Sequence, residues 1–236
     1  MGNGVALTAR SYDKIYAWED YAGEVEHLLA LIGARQTTPA RTLLDVACGT
    51  GQHIEHLKRH FEVEGLDICE ELLALARERN PEVLFHLGDM TEFDLGREFD
   101  VITCLFSSIG YVGTYNRLCA AFRCLAWHVK PGGLIIIEPW FVPDDWKPNT
   151  VHALFVDEPE LKIARINTSL REGRLSVFDL HHLIGTPEGT EHVVEHHELG
   201  LFEMEEMRRA MEDAGLSVEY DHDGITGRGL YIGIRL

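Results

Sequence analysis

Residues 43–51 decide the fold and read Leu43-Leu44-Asp45-Val46-Ala47-Cys48-Gly49-Thr50-Gly51. The apolar first half predicts a short buried strand over residues 42–48, and the glycines predict a tight turn into a helix over residues 52–60. Glycines let the backbone approach a ligand closely, and the first crevice of a doubly wound sheet is a natural ligand site. We therefore expect this turn to border a ligand.

The turn does not complete the glycine pattern of dinucleotide-binding proteins. Gly49 and Gly51 are followed by Gln52-His53-Ile54, so the third glycine of G-x-G-x-x-G is absent. That glycine lets the helix approach a pyrophosphate. Its absence, together with Asp45 before the turn, favours a cofactor without a pyrophosphate. From these residues alone, a strand-to-helix turn with no ligand remains an alternative.

Strands alternate with helices on both sides of this turn. A helix is predicted over residues 11–35, and the following segments are predicted as strands at 62–68, 83–87, 100–106 and 134–138 and as helices at 70–80 and 115–128. The apolar run 134–138 is typical of a strand that is buried on both faces. This order predicts an α/β, Rossmann-like, doubly wound fold with a mostly parallel seven-stranded sheet.

The pattern changes after Trp140. Residues 151–202 have no strong helical periodicity, and turn signals separate strand-like runs at 152–156, 161–169, 174–184 and 192–201. A helix over 203–214 and strands over 217–220 and 230–234 follow. We therefore predict an antiparallel β-meander inserted after strand five. Residues 1–140 and 203–236 would form the core, and residues 141–202 the insert.

Charge and composition limit the partners. The chain has 39 acidic and 21 basic residues and a net charge of −18. Because phosphate neutralisation supplies most nucleic-acid affinity, the lack of a basic cluster argues against DNA or RNA and favours a small-molecule partner. No apolar run approaches the roughly 20 residues that span a bilayer. The first residues lack the pattern of a secretory signal, so we expect a cytoplasmic protein without a membrane partner.

Cysteines and histidines do not predict a metal site. The five cysteines include no C-x-x-C pair, which favours structural, reduced thiols. The histidine pairs at 181–182 and 196–197 lie in strand-like runs, where neighbouring side chains point to opposite faces. Such a pair cannot chelate one ion from the same side. We interpret these histidines as solvated or sheet-face side chains.

Three further segments follow strands whose carboxyl ends share one edge of the predicted sheet. Asp67 ends the second strand, where a carboxylate can accept hydrogen bonds from both hydroxyls of a ribose. Gly88-Asp89-Met90 follows the third strand, and its carboxylate and thioether can flank an adenine. Residues 105–111, Leu-Phe-Ser-Ser-Ile-Gly-Tyr, follow the fourth strand at the edge where substrates bind.

Over residues 40–140 the chain resembles class I S-adenosylmethionine-dependent methyltransferases. The resemblance rests on the D-V-A-C-G-T-G turn, Asp67, Gly88-Asp89-Met90 and the Pro131-Gly132-Gly133 turn. It implies S-adenosylmethionine as cofactor, with its methionine moiety at residues 49–51, its ribose at Asp67 and its adenine at Asp89 and Met90. The complete set of candidate cofactor-binding positions is Tyr21, Asp45, Ala47, Gly49, Gly51, Asp67, Ile68, Asp89, Met90 and Phe106.

A narrower resemblance, to the deoxyaminosugar N,N-dimethyltransferases, covers nearly the whole chain. It rests on Ser11-Tyr12-Asp13, residues 106–111, Glu138-Pro139-Trp140, Arg171-Glu172-Gly173 and Gly227-Arg228-Gly229-Leu230. Those enzymes act on sugars carried by thymidine diphosphate, and related enzymes pair, which implies a possible homodimer through the insert. Part of the group has histidine in place of Tyr111. The implied acceptor-side residues are Tyr12, Ser107 and Ser108, with Arg228 near the nucleotide, and we add Trp140 as a bordering residue.

Methyl transfer from a sulfonium to an amine is an in-line displacement that needs alignment more than acid–base catalysis. Near-attack geometry supplies about 7–11 kcal/mol in the best cases. A proton must leave the amine before or after transfer, and the candidate groups are Tyr12, Tyr111 and water. The predicted function is N-methylation of a small amine acceptor, a nucleoside-diphosphate-linked aminosugar. The alternatives are methyl transfer to a hydroxyl or carboxyl of another small molecule, and a non-catalytic S-adenosylmethionine-binding protein.

Overall fold

A seven-stranded sheet carries the carboxyl edge on which the predicted site residues lie. The computed structural model describes residues 11–36 and 39–236. The sheet contains β1 (Thr42–Val46), β2 (Glu62–Asp67), β3 (Leu84–Leu87), β4 (Phe99–Cys104), β5 (Val129–Ile137), β11 (Leu216–Asp221) and β12 (Leu230–Arg235). Its order is β11-β12-β5-β4-β1-β2-β3. The neighbours from β3 to β5 are parallel, and β12 runs antiparallel to both β5 and β11.

Helices cover both faces of this sheet, as the doubly wound prediction requires. They are α1 (Tyr21–Arg35), α2 (Gln52–Leu57), α3 (Glu70–Arg79), α4 (Tyr115–His128) and α5 (Met204–Asp213). Apolar side chains of the first three helices form one core layer, and those of the last two form the other. The predicted α/β class and mostly parallel seven-stranded sheet are thus confirmed. Within the described residues, no helix combines the length and apolar character that crossing a membrane demands.

A second, antiparallel sheet follows β5 in the chain. It contains β6 (Val151–Glu158), β7 (Leu161–Thr168), β8 (Leu170–Glu172), β9 (Leu175–Thr186) and β10 (Gly189–Gly200). The order is β10-β9-β7-β6, with β8 paired to β9. This confirms the predicted antiparallel meander. The sequence prediction missed β8 because three residues are too few to show a strand periodicity.

The prediction of one helix over residues 11–35 is wrong. Residues 11–15 are helical, residues 16–18 form a turn, and α1 begins at Tyr21. Asp20 caps α1 by accepting a hydrogen bond from the Gly23 N–H at 3.0 Å, a preferred role for aspartate. The segment before the break packs Ile15 against Ile163 and Ile184 of the second sheet. The break therefore turns Tyr12 and Tyr16 towards the space between the two sheets.

The start of β5 also differs from the prediction. The strand begins at Val129, and the Pro131-Gly132-Gly133 segment lies inside it as an irregularity. A Cβ atom at Gly133 would lie 2.7 Å from the carbonyl oxygen of Asp100, so the neighbouring strand approaches too closely for a side chain. The predicted turn is therefore a bulge at the strand's entry.

Candidate active site

A groove follows the carboxyl ends of β1, β2 and β3. One half is bordered by the turn after β1 and includes Tyr21, Asp45, Gly49 and Phe106. The other half is bordered by Asp67, Ile68, Asp89 and Met90. Ala47 borders both halves and joins them. Nine of the ten predicted cofactor positions therefore lie along one continuous groove.

Gly51 is the tenth position and lies behind the groove. Its φ is 73°, in the left-handed region, and it is the N-cap residue of α2. A Cβ atom there would lie 2.8 Å from Asn80 Nδ2, so α3 packs against the turn at this point. In the structure Gly51 shapes the turn, and its predicted cofactor contact stays a prediction.

The carboxylate of Asp67 fixes the turn that follows β1. Its Oδ2 accepts from the Gly49 N–H at 2.8 Å, and its Oδ1 accepts from the Cys69 N–H at 2.9 Å. Ala47 and Gly49 both have positive φ, 58° and 56°, and this backbone needs such support. Burial raises the pKa of Asp67, although backbone hydrogen bonds oppose that shift. The sequence analysis predicted Asp67 as a ribose ligand but did not predict it as the anchor of the turn.

Asp45 places a second carboxylate in the same half of the groove as the turn. Its Oδ1 accepts from the Thr103 hydroxyl at 2.8 Å, and the side chain is 2% exposed. Burial raises the pKa of Asp45 to about 6, against the opposing influence of His53 and Thr103. A buried carboxylate that borders a groove fits a cationic ligand group such as an ammonium.

A buried His53–Glu24 pair stands behind Tyr21 and was not identified from the sequence. Nε2 of His53 and Oε2 of Glu24 are 2.6 Å apart. Burial alone would lower the pKa of His53, but the hydrogen bond to Glu24 and the nearby carboxylates raise it. The His53 ring meets the Tyr21 ring edge-on with centroids 5.0 Å apart. The pair therefore ties α1 to α2 and holds Tyr21 at the groove.

The half of the groove at β2 and β3 combines apolar and acidic groups. Ile68 is 69% exposed, which is unusual for an isoleucine and leaves an apolar face for a ligand. Asp89 accepts from the Thr91 N–H and hydroxyl and from Arg117 Nη2, each at 2.8 Å. Burial opposes ionisation of Asp89, but these hydrogen bonds outweigh it and lower its pKa. Apolar Ile68 and Met90 beside Asp67 fit a purine nucleoside.

A cavity of about 610 Å³ lies between the two sheets. One wall is the inner face of the second sheet, and the opposite wall contains residues 12–16 and the segment after β4. Tyr12, Phe106 and Ser108 border both this cavity and the Asp45 half of the groove. Tyr111 borders both the cavity and the Asp67 half. The groove and the cavity therefore meet at the segment after β4, where a donor and an acceptor can face each other.

The segment after β4 has an unusual backbone. Phe106 and Ser107 have φ of 54° and 59°, in the left-handed region that non-glycine residues rarely occupy. The Phe106 N–H donates to Glu138 Oε2 at 2.6 Å, and the Ser107 hydroxyl donates to the Pro139 carbonyl at 2.7 Å. Ser107 is buried and its hydroxyl holds this segment, whereas Ser108 lines the cavity. The predicted acceptor contacts of both serines stay predictions.

Arg228 does not border the large cavity. Its Nη2 lies 3.2 Å from Oε1 of the buried Glu138, and the residue borders a neighbouring cavity of about 280 Å³. Trp140 borders both cavities. The structure thus places Arg228 beside the large cavity's neighbour, with its guanidinium paired to Glu138, and its predicted nucleotide contact stays a prediction.

Aromatic side chains form one part of the cavity wall. Trp140 lies beside Trp146 with ring centroids 5.6 Å apart, and Trp146 lies 6.1 Å from Phe178. Trp140 Nε1 donates to the Ser176 hydroxyl at 2.8 Å, which fixes the indole. Of these three rings the sequence analysis named Trp140 alone, because Phe178 lies 38 residues later in the chain and meets the two tryptophans only when the second sheet folds back on the loop before it.

Polar side chains cover another part of the inner sheet face. His182 and His197 point into the cavity, whereas their neighbours His181 and His196 are exposed on the outer face. The Tyr111 hydroxyl is 2.8 Å from His197 Nδ1. Oε2 of Glu195 lies 3.7 Å from His197 Nε2 and 3.3 Å from His182 Nε2. This carboxylate–imidazole cluster was not predicted.

Tyr12, a predicted catalytic residue, lies where the groove and cavity join. Its ring centroid is 4.6 Å from that of Tyr16, which in turn meets Phe106 edge-on at 5.1 Å. Burial raises the pKa of Tyr12 well above its usual range, and the nearby Tyr16, Tyr21 and Tyr111 add to the shift. Tyr111 is about half exposed, and the partial burial of its hydroxyl together with the nearby Tyr16, Glu195 and Asp67 raises its pKa. Both phenols are therefore neutral hydrogen-bonding groups at neutral pH.

Comparisons with known proteins agree with this geometry. A family model described as a methyltransferase domain matches residues 43–133. A dTDP-3-amino-3,6-dideoxy-alpha-D-glucopyranose N,N-dimethyltransferase from Streptomyces fradiae is 42% identical over 230 residues, covering 96% of this chain and 90% of that protein. A dTDP-3-amino-3,4,6-trideoxy-alpha-D-glucopyranose N,N-dimethyltransferase from Streptomyces venezuelae is 39% identical, covering 94% and 95%.

Solved structures show the same similarity over nearly the whole chain. The crystal structure of Streptomyces venezuelae DesVI has a TM-score of 0.91 and 39% identity, covering 97% of this chain and 98% of that one. The S-adenosylmethionine-bound structure of CalS10, an amino pentose methyltransferase from Micromonospora echinaspora, has a TM-score of 0.83 and 35% identity, covering 98% and 95%. Both the α/β sheet and the second sheet are therefore shared with these proteins.

Proposed function

The chain belongs to the deoxyaminosugar N,N-dimethyltransferase family, and on that premise we propose that it methylates the amine of a sugar carried on a nucleoside diphosphate. It is an S-adenosylmethionine-dependent methyltransferase. The observation that carries the acceptor proposal is the 610 Å³ cavity, which opens onto the groove beside Tyr12 and Ser108. A homodimer through the insert stays a prediction.

We assign the cofactor to the groove along β1, β2 and β3. When bound, S-adenosylmethionine supplies a methyl group on a sulfonium. Asp45 would hold the ammonium of the methionine moiety, Asp67 would accept from the ribose hydroxyls, and Ile68 and Met90 would flank the adenine. The structure supports these assignments because the two carboxylates and the apolar side chains border one groove.

We assign the nucleotide sugar to the cavity, with residues 141–202 as the acceptor-side unit. Ligand cavities of about 300–1,000 Å³ hold molecules of this size. Arg165 and Lys147 line the cavity in a protein whose net charge is −18. Arg165 Nη1 donates to the Tyr16 hydroxyl and Lys147 Nζ to the Asp144 carbonyl, both at 2.9 Å. The Tyr16 hydroxyl and the Asp144 carbonyl are both neutral acceptors, so both cations suit a diphosphate.

The chemistry of this site is mainly alignment. The segment after β4 is held in one strained conformation by Glu138 and Pro139, so Phe106 and Ser108 keep fixed places between groove and cavity. The direct test is incubation with S-adenosylmethionine and a thymidine-diphosphate-linked aminosugar, followed by mass spectrometry. Addition of one and then two methyl groups is expected, and methylation of only hydroxyl or carboxyl acceptors would contradict the proposal.

Replacing Arg165 by glutamine is expected to weaken thymidine diphosphate binding. A hydrogen bond to a charged group contributes about 1.5–3 kcal/mol, which corresponds to roughly a 10- to 100-fold higher Kd. Calorimetry with protein saturated by S-adenosylhomocysteine measures the effect. The matched control is Lys162→Gln, since Lys162 lies on the same strand but pairs with Asp157 in solvent. Equal affinities of the two variants would contradict a diphosphate at Arg165.

Cofactor affinity is expected to rise between pH 5 and pH 7. Because the pKa of Asp45 is raised to about 6, its carboxylate is mostly protonated at pH 5. If the ammonium binds only the ionised form, the Kd of S-adenosylhomocysteine at pH 5 is about tenfold above its plateau. Calorimetry across this range measures the slope. The Asp45→Asn variant should bind weakly with a flatter profile, and an unchanged slope in that variant would assign the titration to another group.

A further inference from the structure

We propose that Tyr111, His197 and Glu195 form a proton relay that draws a proton from the acceptor's ammonium group and so frees its lone pair. The proposal rests on the proposed function and adds the group that receives the proton. The relay joins the segment after β4, which borders the groove, to β10 of the inserted sheet. The insert would then supply chemistry as well as a wall for the acceptor.

The geometry of the three side chains carries this proposal. The Tyr111 hydroxyl is 2.8 Å from His197 Nδ1, and His197 Nε2 is 3.7 Å from Glu195 Oε2. The His197 ring stacks on Phe178 with centroids 5.3 Å apart and an angle of 16°. That stacking fixes the plane of the imidazole, and with it the direction of both nitrogens. A hydroxyl, an imidazole and a carboxylate in series form the arrangement by which proteins move a proton away from a reacting group.

The carboxylate determines which nitrogen of His197 carries the proton. Nε2 is buried and, among the described residues, has no hydrogen-bond partner, and Glu195 is the charge that faces it. A negative charge at this position favours the tautomer with its proton on Nε2. Nδ1 is then the acceptor of the Tyr111 O–H. The Tyr111 oxygen keeps lone pairs that can accept a proton, and Tyr111 lines the cavity.

An alkyl amine is largely protonated at neutral pH, because amine pKa values lie near 8–10. One ammonium proton moves to the Tyr111 oxygen while the Tyr111 proton moves to His197 Nδ1. The positive charge passes from substrate to imidazolium and faces Glu195. The freed lone pair then forms the N–CH₃ bond, and the C–S bond of the donor breaks with its electrons left on sulfur. Neither phenolate nor an isolated buried cation forms, which suits a tyrosine whose pKa is raised.

Other ionisable groups face the same cavity. The titratable or charged side chains that line it, besides the three relay residues, are Tyr12, Tyr16, Asp145, Lys147, His152, Arg165 and His182. His182 lies 3.3 Å from the same Glu195 oxygen and competes with His197 for that charge. A pH profile alone therefore does not identify the relay, and variants of His197 and its neighbour are needed.

The test compares His197→Asn with His196→Asn in the holoenzyme. Asparagine keeps a hydrogen-bonding group near Tyr111 but does not take up a proton. We expect kcat for a thymidine-diphosphate-linked aminosugar to fall about 100-fold at pH 7, at the lower end of general-base contributions. The loss should shrink at least tenfold by pH 9, where solvent deprotonates the amine. His196 is exposed on the outer face, and its variant should match the wild type at both pH values.

A His197→Asn variant with near-wild-type kcat at pH 7, or with the same loss at both pH values, would overturn the relay. An unchanged affinity for S-adenosylhomocysteine shows that the variant is folded. Nitrogen-15 spectra of the imidazoles give an answer without turnover: the Nε2–H tautomer of His197 is expected, and Tyr111→Phe should move its Nδ1 resonance. An Nδ1–H tautomer would overturn the relay, whereas wild-type protein that does not methylate any aminosugar would instead overturn the proposed function.

Discussion

Replacing Asp67 by alanine is expected to weaken S-adenosylhomocysteine binding by about 10²- to 10⁴-fold. Two ribose hydrogen bonds to a charged carboxylate are worth about 1.5–3 kcal/mol each, and each 1.4 kcal/mol is tenfold in affinity. The variant also leaves the N–H groups of Gly49 and Cys69 without the acceptor that now binds them at 2.8 and 2.9 Å. The turn with positive φ at Ala47 and Gly49 then loses its anchor. The variant is therefore expected to distort the groove as well as to remove the ribose hydrogen bonds.

Asp94→Ala is the matched control for Asp67→Ala. Asp94 Oδ1 accepts from the Gly96 N–H at 2.9 Å, the same two-residue relation that joins Asp67 to Cys69. The Asp94 side chain is 78% exposed and lies outside the groove. Calorimetry should give this control the wild-type affinity. An Asp67→Ala affinity within threefold of the wild type would show that the ribose is bound elsewhere.

The cofactor groove was predictable because its residues obey a rule of topology. Parallel strands present their carboxyl ends at one edge, so residues that follow β1, β2 and β3 must meet there wherever the chain places them. Predicting that Ala47, Asp67 and Met90 border the groove required no knowledge of how distant parts of the chain pack. Gly51 fitted the same pattern but faces α3, since the glycine spacing does not distinguish a ligand contact from a helix contact.

Residues whose place depends on a distant partner were not predictable in the same way. Arg228 sits between two glycines, and nothing local shows that Glu138, ninety residues earlier, binds its guanidinium. The helix break before α1 did carry a signal, because Asp20 is a preferred N-cap residue, but the apolar periodicity around it concealed the break. Pairings between elements must be seen in three dimensions before such roles can be assigned.

The inward histidines lie between these two cases. Strand alternation separates His181 from His182 and His196 from His197, but it does not say which of each pair is buried. The signal was present in the neighbours: Leu180 and Ile184 flank His182 at a period of two and are buried. An apolar–histidine–apolar alternation therefore predicts an inward imidazole. Its pairing with Tyr111 still required the second sheet to fold over the segment after β4.

Replacing Glu138 by alanine is expected to lower the free energy of unfolding by about 3–5 kcal/mol, the typical cost of removing one partner from a buried ion pair. The Glu138 carboxylate is 2% exposed and accepts from the Phe106 N–H at 2.6 Å, from Arg228 Nη2 at 3.2 Å and from the Thr226 hydroxyl. Its loss leaves a guanidinium and a backbone N–H without this acceptor. Urea denaturation followed by circular dichroism measures the change.

The control for Glu138→Ala is Glu98→Ala, which removes a carboxylate from a pair with Arg235 at 2.6 Å. Glu98 is 44% exposed, so its pair contributes about 1 kcal/mol or less. Glu138→Gln keeps an oxygen for the Phe106 N–H but removes the charge that Arg228 faces. If the strained backbone at Phe106 depends on the hydrogen bond, kcat should fall further in the alanine variant than in the glutamine variant. Equal destabilisation by Glu138→Ala and Glu98→Ala would instead show that solvent reaches this carboxylate and that the segment after β4 holds its conformation without it.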